Sequence, residues 1–380
     1  MAKLEHYIPV GRQRLRCGYT TGTCAAAAAR GAAAALLTGN RAAAVEVTTP
    51  AGIPVRAELL DWSQGPGWVR CAVEKDGGDD PDVTDGTRIY ATVSRRADAV
   101  LVIEGGEGVG RVTRPGLDQP PGAAAINSTP RRMIREQLEA ARAEAGARCG
   151  LTAVISAPGG AALAQKTFNP RLGIVGGISI LGTSGIVRPM SEAALVDSIT
   201  LELDMAKAAG VRHLLVTPGN YGADYARTEL GLRTEPISCS NYLGAAIDHA
   251  AGLGFESFLL VGHLGKLVKV AGGAMNTHSN TADGRRETLA AHTALAGGDR
   301  ALVRAVFEAA ATDAALEALE AAGLRGAVTA ALTRALYENL CRRAGEMRME
   351  AVVFSNRFGL LGETPGAEEL LARHRRGEGA

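Results

Sequence analysis

The spacing of apolar residues along this 380-residue chain changes between its first and second halves. In the first half, apolar residues fall on every second position in four segments: Val45–Thr49, Val55–Leu59, Val69–Glu74 and Ile89–Ser94. Such alternation is typical of strands with one buried and one solvated face, as in antiparallel sheets. An Ala-rich run at Thr23–Leu37 and a segment from Pro130 to about Ala145 predict two helices. The first half is therefore expected to be an α+β domain with a largely antiparallel sheet.

After Pro189 the strands become short, continuous apolar runs between helical patterns, at Leu214–Val216, Phe258–Val261 and Val352–Phe354. This pattern predicts a parallel sheet covered by helices on both faces. Ser191 is a candidate cap for a helix reaching about Ala209, and several Ala-rich helices are expected from Thr281 to about Gly345. The tail from Arg373 to Ala380 has no large apolar residue and is expected to be frayed. The prediction is thus an α/β chain with two domains, residues 1–188 and residues 189–380.

Charge and cysteine content restrict the partners that we expect. With 41 basic and 40 acidic residues, the chain has no global field that would select nucleic acid or an anionic membrane. The six cysteines are widely scattered without a C-x-x-C motif, so neither disulfides nor a metal site are expected. No apolar segment has signal-peptide or membrane-spanning length, which predicts a cytoplasmic protein. Assembly into a homo-oligomer is left open.

Three consecutive strand ends in the second half break into polar, glycine-bearing turns: Thr217–Gly222, Pro236–Asn241 and Val261–Lys266. In open α/β sheets, ligands bind in the crevice outside the carboxyl ends of the strands. Glycine permits close approach of the backbone, and asparagine both donates and accepts hydrogen bonds. We therefore predict a cofactor-binding site that contains Gly219, Asn220, Ser240 and Asn241.

His263 ends the third of these strands, and Lys266 and Lys269 share one face of the helix that follows. His278 lies a few residues beyond that helix. Lysines and histidines beside glycine turns indicate an anion-binding or proton-handling site, which makes both histidines candidate catalytic residues. The alternative is that each histidine is purely structural.

Five glycines occur in the run Lys166–Ser191, which we interpret as a close-approach loop at the domain junction, with Arg171, Gly182, Thr183 and Ser184 as candidate substrate ligands. Gly177–Ser184 has the spacing of a P-loop, but Thr183 stands where that motif needs its lysine. A nucleotide-dependent kinase is therefore only an alternative. Use of the glycines for packing alone is another.

Two further segments carry candidate chemistry. Thr20, Thr21 and Thr23 precede or begin the Ala-rich helix, where hydroxyls and free amides either bind an anion or merely cap the helix. Five aspartates crowd the turn at Lys75–Gly86. This turn is either plain and solvated, or it supplies one aspartate, such as Asp80, as a base or as a partner for a cationic group.

Several blocks together resemble the cobalt-precorrin-5B C-methyltransferase (CbiD) family of anaerobic cobalamin biosynthesis. The resemblance covers about Leu15 to Phe358, and its blocks are Gly18–Ala26, Lys75–Asp82, Lys166–Ser191, Thr217–Asn220, Gly262–Lys269 and Asn276–His278.

That resemblance implies S-adenosylmethionine as methyl donor and methylation of carbon 1 of a cobalt-containing corrinoid, with cobalt present only as part of the substrate. It also implies a Rossmann-like second domain. Because a corrinoid acid is a polyanion, Thr20, Thr21, Thr23, Arg171, Lys266 and Lys269 are expected to bind it. The strand-end turns are then expected to bind the methyl donor. A non-catalytic corrinoid carrier is the main alternative from another class.

Overall fold

The computed structural model describes residues 3–377. The chain folds into two compact units, Met1–Glu192 and Ala193–Ala380, each with its own core, and they are described separately below. The predicted boundary between residues 188 and 189 stays a prediction.

The first unit contains thirteen short strands and three helices within its described residues. The strands are β1 (Tyr7–Val10), β2 (Gln13–Arg16), β3 (Gly18–Tyr19), β4 (Ala44–Thr48), β5 (Pro54–Glu58), β6 (Leu60–Gly65), β7 (Trp68–Glu74), β8 (Arg88–Arg96), β9 (Leu101–Gly105), β10 (Arg111–Val112), β11 (Gly150–Ser156), β12 (Ile174–Val175) and β13 (Ile186–Val187). The helices are α1 (Thr21–Thr38), α2 (Ser128–Glu144) and α3 (Gly160–Ala164).

A five-stranded sheet in the order β6-β7-β8-β11-β9 forms the centre of the first unit. All its neighbouring pairs are antiparallel except β11 and β9, which confirms the largely antiparallel sheet. Helix α1 packs on β7 and β8 and lies beside α2. Its alanines from Ala25 to Ala29 are fully buried, so the helix approaches the sheet closely. Enlarging one of them would overpack this layer, at a cost of about 1–3 kcal/mol.

The remaining elements are α4 (Glu192–Ala208), β14 (His213–Thr217), α5 (Asn220–Thr228), β15 (Ile237–Ser238), α6 (Leu243–Gly252), β16 (Ser257–His263), α7 (Leu264–Ala271), α8 (Arg285–Leu295), α9 (Arg300–Glu308), α10 (Thr312–Ala321), α11 (Arg325–Ala344), β17 (Arg348–Ser355), β18 (Gly359–Glu363) and α12 (Ala367–Arg376). The helix expected after Ser191 and the helices expected between Thr281 and Gly345 are confirmed.

The sheet of the second unit has the order β15-β14-β16-β17-β18. Its first four strands are parallel, as predicted, and β18 adds an antiparallel edge that the sequence pattern did not indicate. Consecutive residues of β16 belong to two different cores. Phe258 and Leu260 lie in the core that contains residues of α6, α7 and α11, whereas Leu259 lies in the core that contains residues of α5 and α12. The unit is therefore a doubly wound α/β fold, in agreement with the predicted fold class.

Strands β14 and β16 are neighbours in the sheet, although β15 lies between them in the chain. The connections from these two strands therefore leave toward opposite faces, which makes the β14–β16 gap the topological switch point. Ligands of doubly wound sheets bind at such a gap, outside the carboxyl ends of the strands.

The prediction of a frayed tail is wrong for Arg373–Arg376, the first four of its eight residues. Helix α12 continues to Arg376, and His374 within it is fully buried, with Nδ1 3.1 Å from the Thr234 hydroxyl. A histidine and two apolar residues of α12, Leu370 and Leu371, anchor the helix on the sheet, which the polar composition conceals. Residues 378–380 of the predicted tail lie outside the described residues.

Candidate functional site

A cavity of about 930 Å³ opens at the carboxyl ends of β14 and β16, at the switch point of the second unit. Five segments line it: the start of α5, the turn after β15, the start of α7, residues 277–279 and the α9–α10 connection. Seven predicted site residues meet here: Gly219, Asn220, Asn241, His263, Lys266, Lys269 and His278. Their proximity follows from the shared edge of parallel strands.

Gly219 forms the turn between β14 and α5. Its φ of 145° with ψ of −172° lies in a region that side chains with a Cβ rarely adopt. Three residues later, a Cβ on Gly222 would lie 2.6 Å from the Val261 carbonyl oxygen, so this glycine lets α5 pack directly on β16. The turn thus brings the start of α5 to the cavity wall. The N–H groups of Gly222 and Ala223 donate to the Gly219 carbonyl oxygen, whereas those of Asn220 and Tyr221 have no acceptor among residues 3–377.

Lys266 connects two of the predicted ligand-binding turns. Its ammonium donates to the carbonyl oxygen of Pro218 after β14 and, at 3.3 Å, to that of Ser240 after β15. Burial lowers the pKa of this lysine. Ser240 does not line the cavity itself, but its carbonyl group is held by a residue that does. Lys266 therefore fixes the spacing of the turns on either side of it.

Lys269 is buried and its ammonium is largely occupied by the protein. It donates to the Thr277 carbonyl oxygen at 2.9 Å and to the Ser279 hydroxyl at 3.1 Å, and it lies 3.6 Å from Asp283. The lysine therefore holds the 277–279 segment against α7. Its predicted contact with a substrate carboxylate stays a prediction, and the structure provides less free donor capacity than the sequence suggested.

His263 and His278 share one local arrangement. The Nδ1 atom of His263 accepts the N–H of Gly265 at 3.0 Å, and Nδ1 of His278 accepts the N–H of Asn280 at 3.2 Å. Burial lowers the pKa of His263, against the weaker opposing effect of Asp313. Because Nδ1 accepts a hydrogen bond in both residues, their neutral rings carry the proton on Nε2.

Sequence reasoning missed several cavity residues. Asp224 and Tyr221 lie on α5, and Asp224 is one helical turn beyond Asn220, a spacing that would have indicated the same face. The side chain of Arg285 and the segment Ala310–Thr312 complete the wall. Arg285 belongs to the basic pair Arg285–Arg286, a candidate local cluster for an anionic partner in the sequence. No local signal marks Ala310–Thr312, because the packing of α8, α9 and α10 brings this segment to the sheet edge.

The predicted substrate residues at the start of α1 lie in the first unit and are engaged within it. Thr20 accepts the Thr23 N–H at 3.3 Å, and the Thr21 and Thr23 hydroxyls donate to the carbonyl oxygens of Ser179 and Gly185. The three threonines are buried. These contacts favour capping and packing, and the anion-binding role stays a prediction.

The glycine-rich run packs against this same helix start. A Cβ on Gly182 would lie 2.5 Å from the Thr20 side chain, and the hydroxyl of Ser184 donates to the Ile186 carbonyl oxygen at 3.0 Å. The segment Gly177–Ser184, which has the spacing of a P-loop, is followed by strand β13. A P-loop is followed by a helix, so this segment does not fold as one. Thr183 and Arg171 are exposed and free of ion pairs among the described residues, so both stay candidate substrate ligands.

The aspartates of the 76–85 turn have partners within the first unit. Asp76 pairs with Arg16 through two hydrogen bonds, Asp82 pairs with the buried Lys75 at 2.7 Å, and Asp85 accepts the Gly77 N–H at 2.6 Å. The carboxylate of Asp80 accepts the Met190 N–H at 3.1 Å. Its catalytic role stays a prediction. Within residues 3–377, no group of three or more His, Cys, Asp or Glu side chains is arranged to hold a metal ion.

Comparison with known proteins decides the family. The chain is 46% identical to a protein of Ruminiclostridium cellulolyticum named cobalt-precorrin-5B C(1)-methyltransferase, over 93% of this chain and 92% of that relative. A relative of the same name from Alkaliphilus metalliredigens is 44% identical over 97% of each chain. The chain belongs to the CbiD family. The CbiD family model matches residues 9–189, and the model of the CbiD C-terminal domain matches residues 276–365.

Family membership confirms the resemblance seen in the sequence blocks. The second CbiD match includes the cavity residues from Thr277 onward, whereas Gly219, Asn241 and His263 lie between the two matched segments. A crystal structure of a cobalamin biosynthesis protein (cbiD) from Archaeoglobus fulgidus is 30% identical, with a TM-score of 0.40 over 74% of this chain and 87% of that one. Among the described helices, none has the length and apolar character needed to cross a bilayer.

Proposed function

We propose that this CbiD chain transfers the methyl group of S-adenosylmethionine to carbon 1 of cobalt-precorrin-5B and forms cobalt-precorrin-6A in anaerobic cobalamin biosynthesis. The observation that carries the proposal is identity of 44–46% over nearly the whole length of relatives that bear the name of this reaction. Cobalt enters only as part of the substrate. The identity of the methyl donor goes beyond those names and is argued from the cavity.

The switch-point cavity is the proposed donor site. Its volume of about 930 Å³ lies within the range typical of cofactor pockets. Gly219 permits close approach of the backbone, and the first turn of α5 provides N–H groups for a carboxylate. Asn241 offers an amide to the ribose or amino-acid groups. These features support the binding of an adenosyl amino acid at this edge of the sheet.

The chemistry that we propose requires alignment of two reactants more than acid or base catalysis. The electron pair of the ring carbon forms the new C–CH₃ bond while the S–CH₃ bond breaks, and the sulfur keeps the electrons of that bond. The sulfonium thereby becomes the neutral thioether of S-adenosylhomocysteine. Holding the two reactants in line provides the main rate advantage for such a transfer.

The corrinoid carries several carboxylates, so its site needs cations that other side chains do not neutralise. In the first unit, Arg171 is exposed without an ion-pair partner among the described residues, and it lies in a run that has no acidic residue from Lys166 to Ser191. We therefore retain Arg171 and Thr183 as proposed substrate contacts. Cytoplasmic location is part of the proposal, and assembly into a homo-oligomer stays open.

The test is incubation of the purified protein with methyl-labelled S-adenosylmethionine and cobalt-precorrin-5B, followed by separation of the corrinoids. Label in the corrinoid together with S-adenosylhomocysteine is expected. Corrinoid binding without S-adenosylmethionine binding would overturn the proposal in favour of a carrier, whereas transfer of phosphate from ATP would favour a kinase. Neither alternative is supported by a feature of the described residues, and the fold of Gly177–Ser184 argues against the kinase.

A further inference from the structure

The two cavity histidines have a chemical property that follows from their hydrogen bonds. In each ring the Nδ1 lone pair is taken by a backbone N–H two residues ahead, Gly265 for His263 and Asn280 for His278. A neutral imidazole with an accepting Nδ1 carries its proton on Nε2. Protonating either ring would place an N–H against an N–H and break this contact.

The Nε2 atoms are the free ends of the two rings. Among residues 3–377 neither Nε2 atom has a hydrogen-bond partner, and neither atom is one of the fully buried polar atoms without a partner. Both histidines line the cavity. Each therefore presents an N–H donor, and neither presents a lone pair that would accept a proton.

The neighbouring groups have the same character. The cavity wall also carries the ammonium of Lys266 and the N-terminal turns of α5 and α7, which are donors or positive ends of dipoles. The guanidinium of Arg285, also in the wall, is paired with Asp283. Asp224 is the one carboxylate in the described wall, and it pairs with Arg227 at 2.6 Å. A wall of this composition selects a ligand group with acceptor atoms and negative charge.

We propose that His263 and His278 are neutral hydrogen-bond donors that bind carboxylate groups of the ligand through Nε2, and that neither residue removes a proton during the reaction. This inference rests on the proposed function, because the ligand is taken from that reaction. Two sources supply the carboxylate: the amino-acid part of S-adenosylmethionine, and the acetate and propionate side chains of the corrinoid.

At each histidine, two substitutions distinguish the role of Nδ1 as an acceptor from the role of Nε2 as a donor. His263→Asn keeps an oxygen near the Nδ1 position, where asparagine is a good helix N-cap for the Gly265 N–H, but it removes the Nε2 donor. His263→Gln extends an amide donor toward the Nε2 position but loses the cap. His278→Asn and His278→Gln do the same at the 278–280 turn. The asparagine variants therefore remove the Nε2 donor, and the glutamine variants restore a donor near the same position.

The experiment measures binding by calorimetry and turnover by steady-state kinetics for wild type and the four variants. The calorimetric probes are S-adenosylhomocysteine, 5′-methylthioadenosine, which lacks the amino-acid part, and cobalt-precorrin-5B. Each asparagine variant is expected to bind one carboxylate-bearing probe about tenfold more weakly, with partial recovery in the glutamine variant. The KM for that ligand is expected to rise in the asparagine variants and to recover in part in the glutamine variants. The pH profile of the maximal rate is expected to keep its wild-type shape, because neither ring takes up a proton.

The three probes identify the source of the carboxylate. Weaker binding of S-adenosylhomocysteine with unchanged binding of 5′-methylthioadenosine supports the inference and assigns the carboxylate to the donor. Weaker binding of cobalt-precorrin-5B alone supports it and assigns the carboxylate to the corrinoid.

Two results would overturn the inference. One is a loss of maximal rate of about 100-fold or more with unchanged affinities and a changed pH profile, which would identify a general base. The other is unchanged affinity for every probe in folded asparagine variants, which would reduce the histidines to caps. Failure of wild type to bind S-adenosylhomocysteine would instead contradict the proposed function, so the two failures are distinguishable.

Discussion

Asn241 and Thr277 are joined by two hydrogen bonds: the Thr277 N–H donates to the Asn241 carbonyl oxygen at 2.9 Å, and the Thr277 hydroxyl donates to Oδ1 at 3.1 Å. The pair connects the turn after β15 to the segment that follows α7. With Oδ1 so engaged, the amide nitrogen of Asn241 is the end left for the ligand, since it has no partner among residues 3–377.

The first prediction follows from that pair. Thr277→Val keeps the size of a buried side chain but releases the Asn241 amide, so S-adenosylhomocysteine should bind about three- to tenfold more weakly in calorimetry. Thr293→Val is the matched control, because its buried hydroxyl donates within α8 to Leu289. Equal affinities in both variants would show that the orientation of Asn241 has no part in donor binding.

The second prediction concerns the backbone of Gly219. Gly219→Ala meets nothing nearer than the Lys266 Nζ atom at 3.9 Å, so strain at a φ of 145° is its main effect. A strain of about 1–3 kcal/mol should make the turn relax and move the start of α5. We therefore expect S-adenosylhomocysteine to bind at least about tenfold more weakly, since 1.4 kcal/mol corresponds to about a factor of ten in affinity. Gly231→Ala, at a φ of 65° with open space around it and outside the cavity wall, provides the control. Loss of affinity in both variants, or in neither, would contradict the assignment of the donor to this turn.

The third prediction distinguishes a structural role of Asp80 from a catalytic one. Asp80→Asn keeps an oxygen for the Met190 N–H, and methyl transfer by the proposed route requires no base, so kcat should stay within about threefold of wild type. Asp80→Ala removes that acceptor and should lower the free energy of unfolding by about 1 kcal/mol, measured in urea. A drop in kcat of about 100-fold in Asp80→Asn, with the fold intact, would restore Asp80 as an acid or base.

The fourth prediction is a pH dependence of stability caused by His374. Burial, with a smaller effect of His213, lowers the pKa of this histidine to about 4, below its unfolded value of about 6.5. The unfolded chain therefore binds the proton more tightly than the folded chain. The free energy of unfolding is not reduced by His374 above about pH 6.5, and it decreases as the pH falls from there toward 4. The loss at pH 5 is of the order of 2 kcal/mol.

Urea titrations at pH 7 and pH 5, followed by circular dichroism, measure this loss. His374→Gln, which cannot take up a proton, should show a smaller difference between the two pH values than wild type. An equal difference in both proteins would assign the acid sensitivity to other groups.

The sequence was sufficient to predict the sheet classes and one edge of the site. Continuous apolar runs mark strands buried on both faces, and the carboxyl ends of parallel strands share an edge, so the proximity of Gly219, Asn241 and His263 follows from pattern alone. Helix α12 was not predicted, because its basic composition conceals the buried contacts of Leu370, Leu371 and His374.

Other features depend on partners that are distant in the sequence. The Thr21 hydroxyl donates to the carbonyl oxygen of Ser179, 158 residues away, and the Ala310–Thr312 wall reaches the cavity only through helix packing. The occupied state of the Lys269 ammonium likewise depends on residues 277–279 folding back on α7. Residue type and spacing identify hydrogen-bond donors, but only the folded structure shows which of them already donate to other groups of the protein.

The most direct test of the proposed function is the position of the transferred methyl group. Purified protein is incubated with cobalt-precorrin-5B and S-adenosylmethionine carrying a ¹³C-labelled methyl group, and the corrinoid product is analysed by NMR spectroscopy. We expect a single labelled methyl group on carbon 1, formed in equal amount with S-adenosylhomocysteine. Label on another carbon, or an unlabelled corrinoid recovered beside unconsumed S-adenosylmethionine, would refute the proposed function.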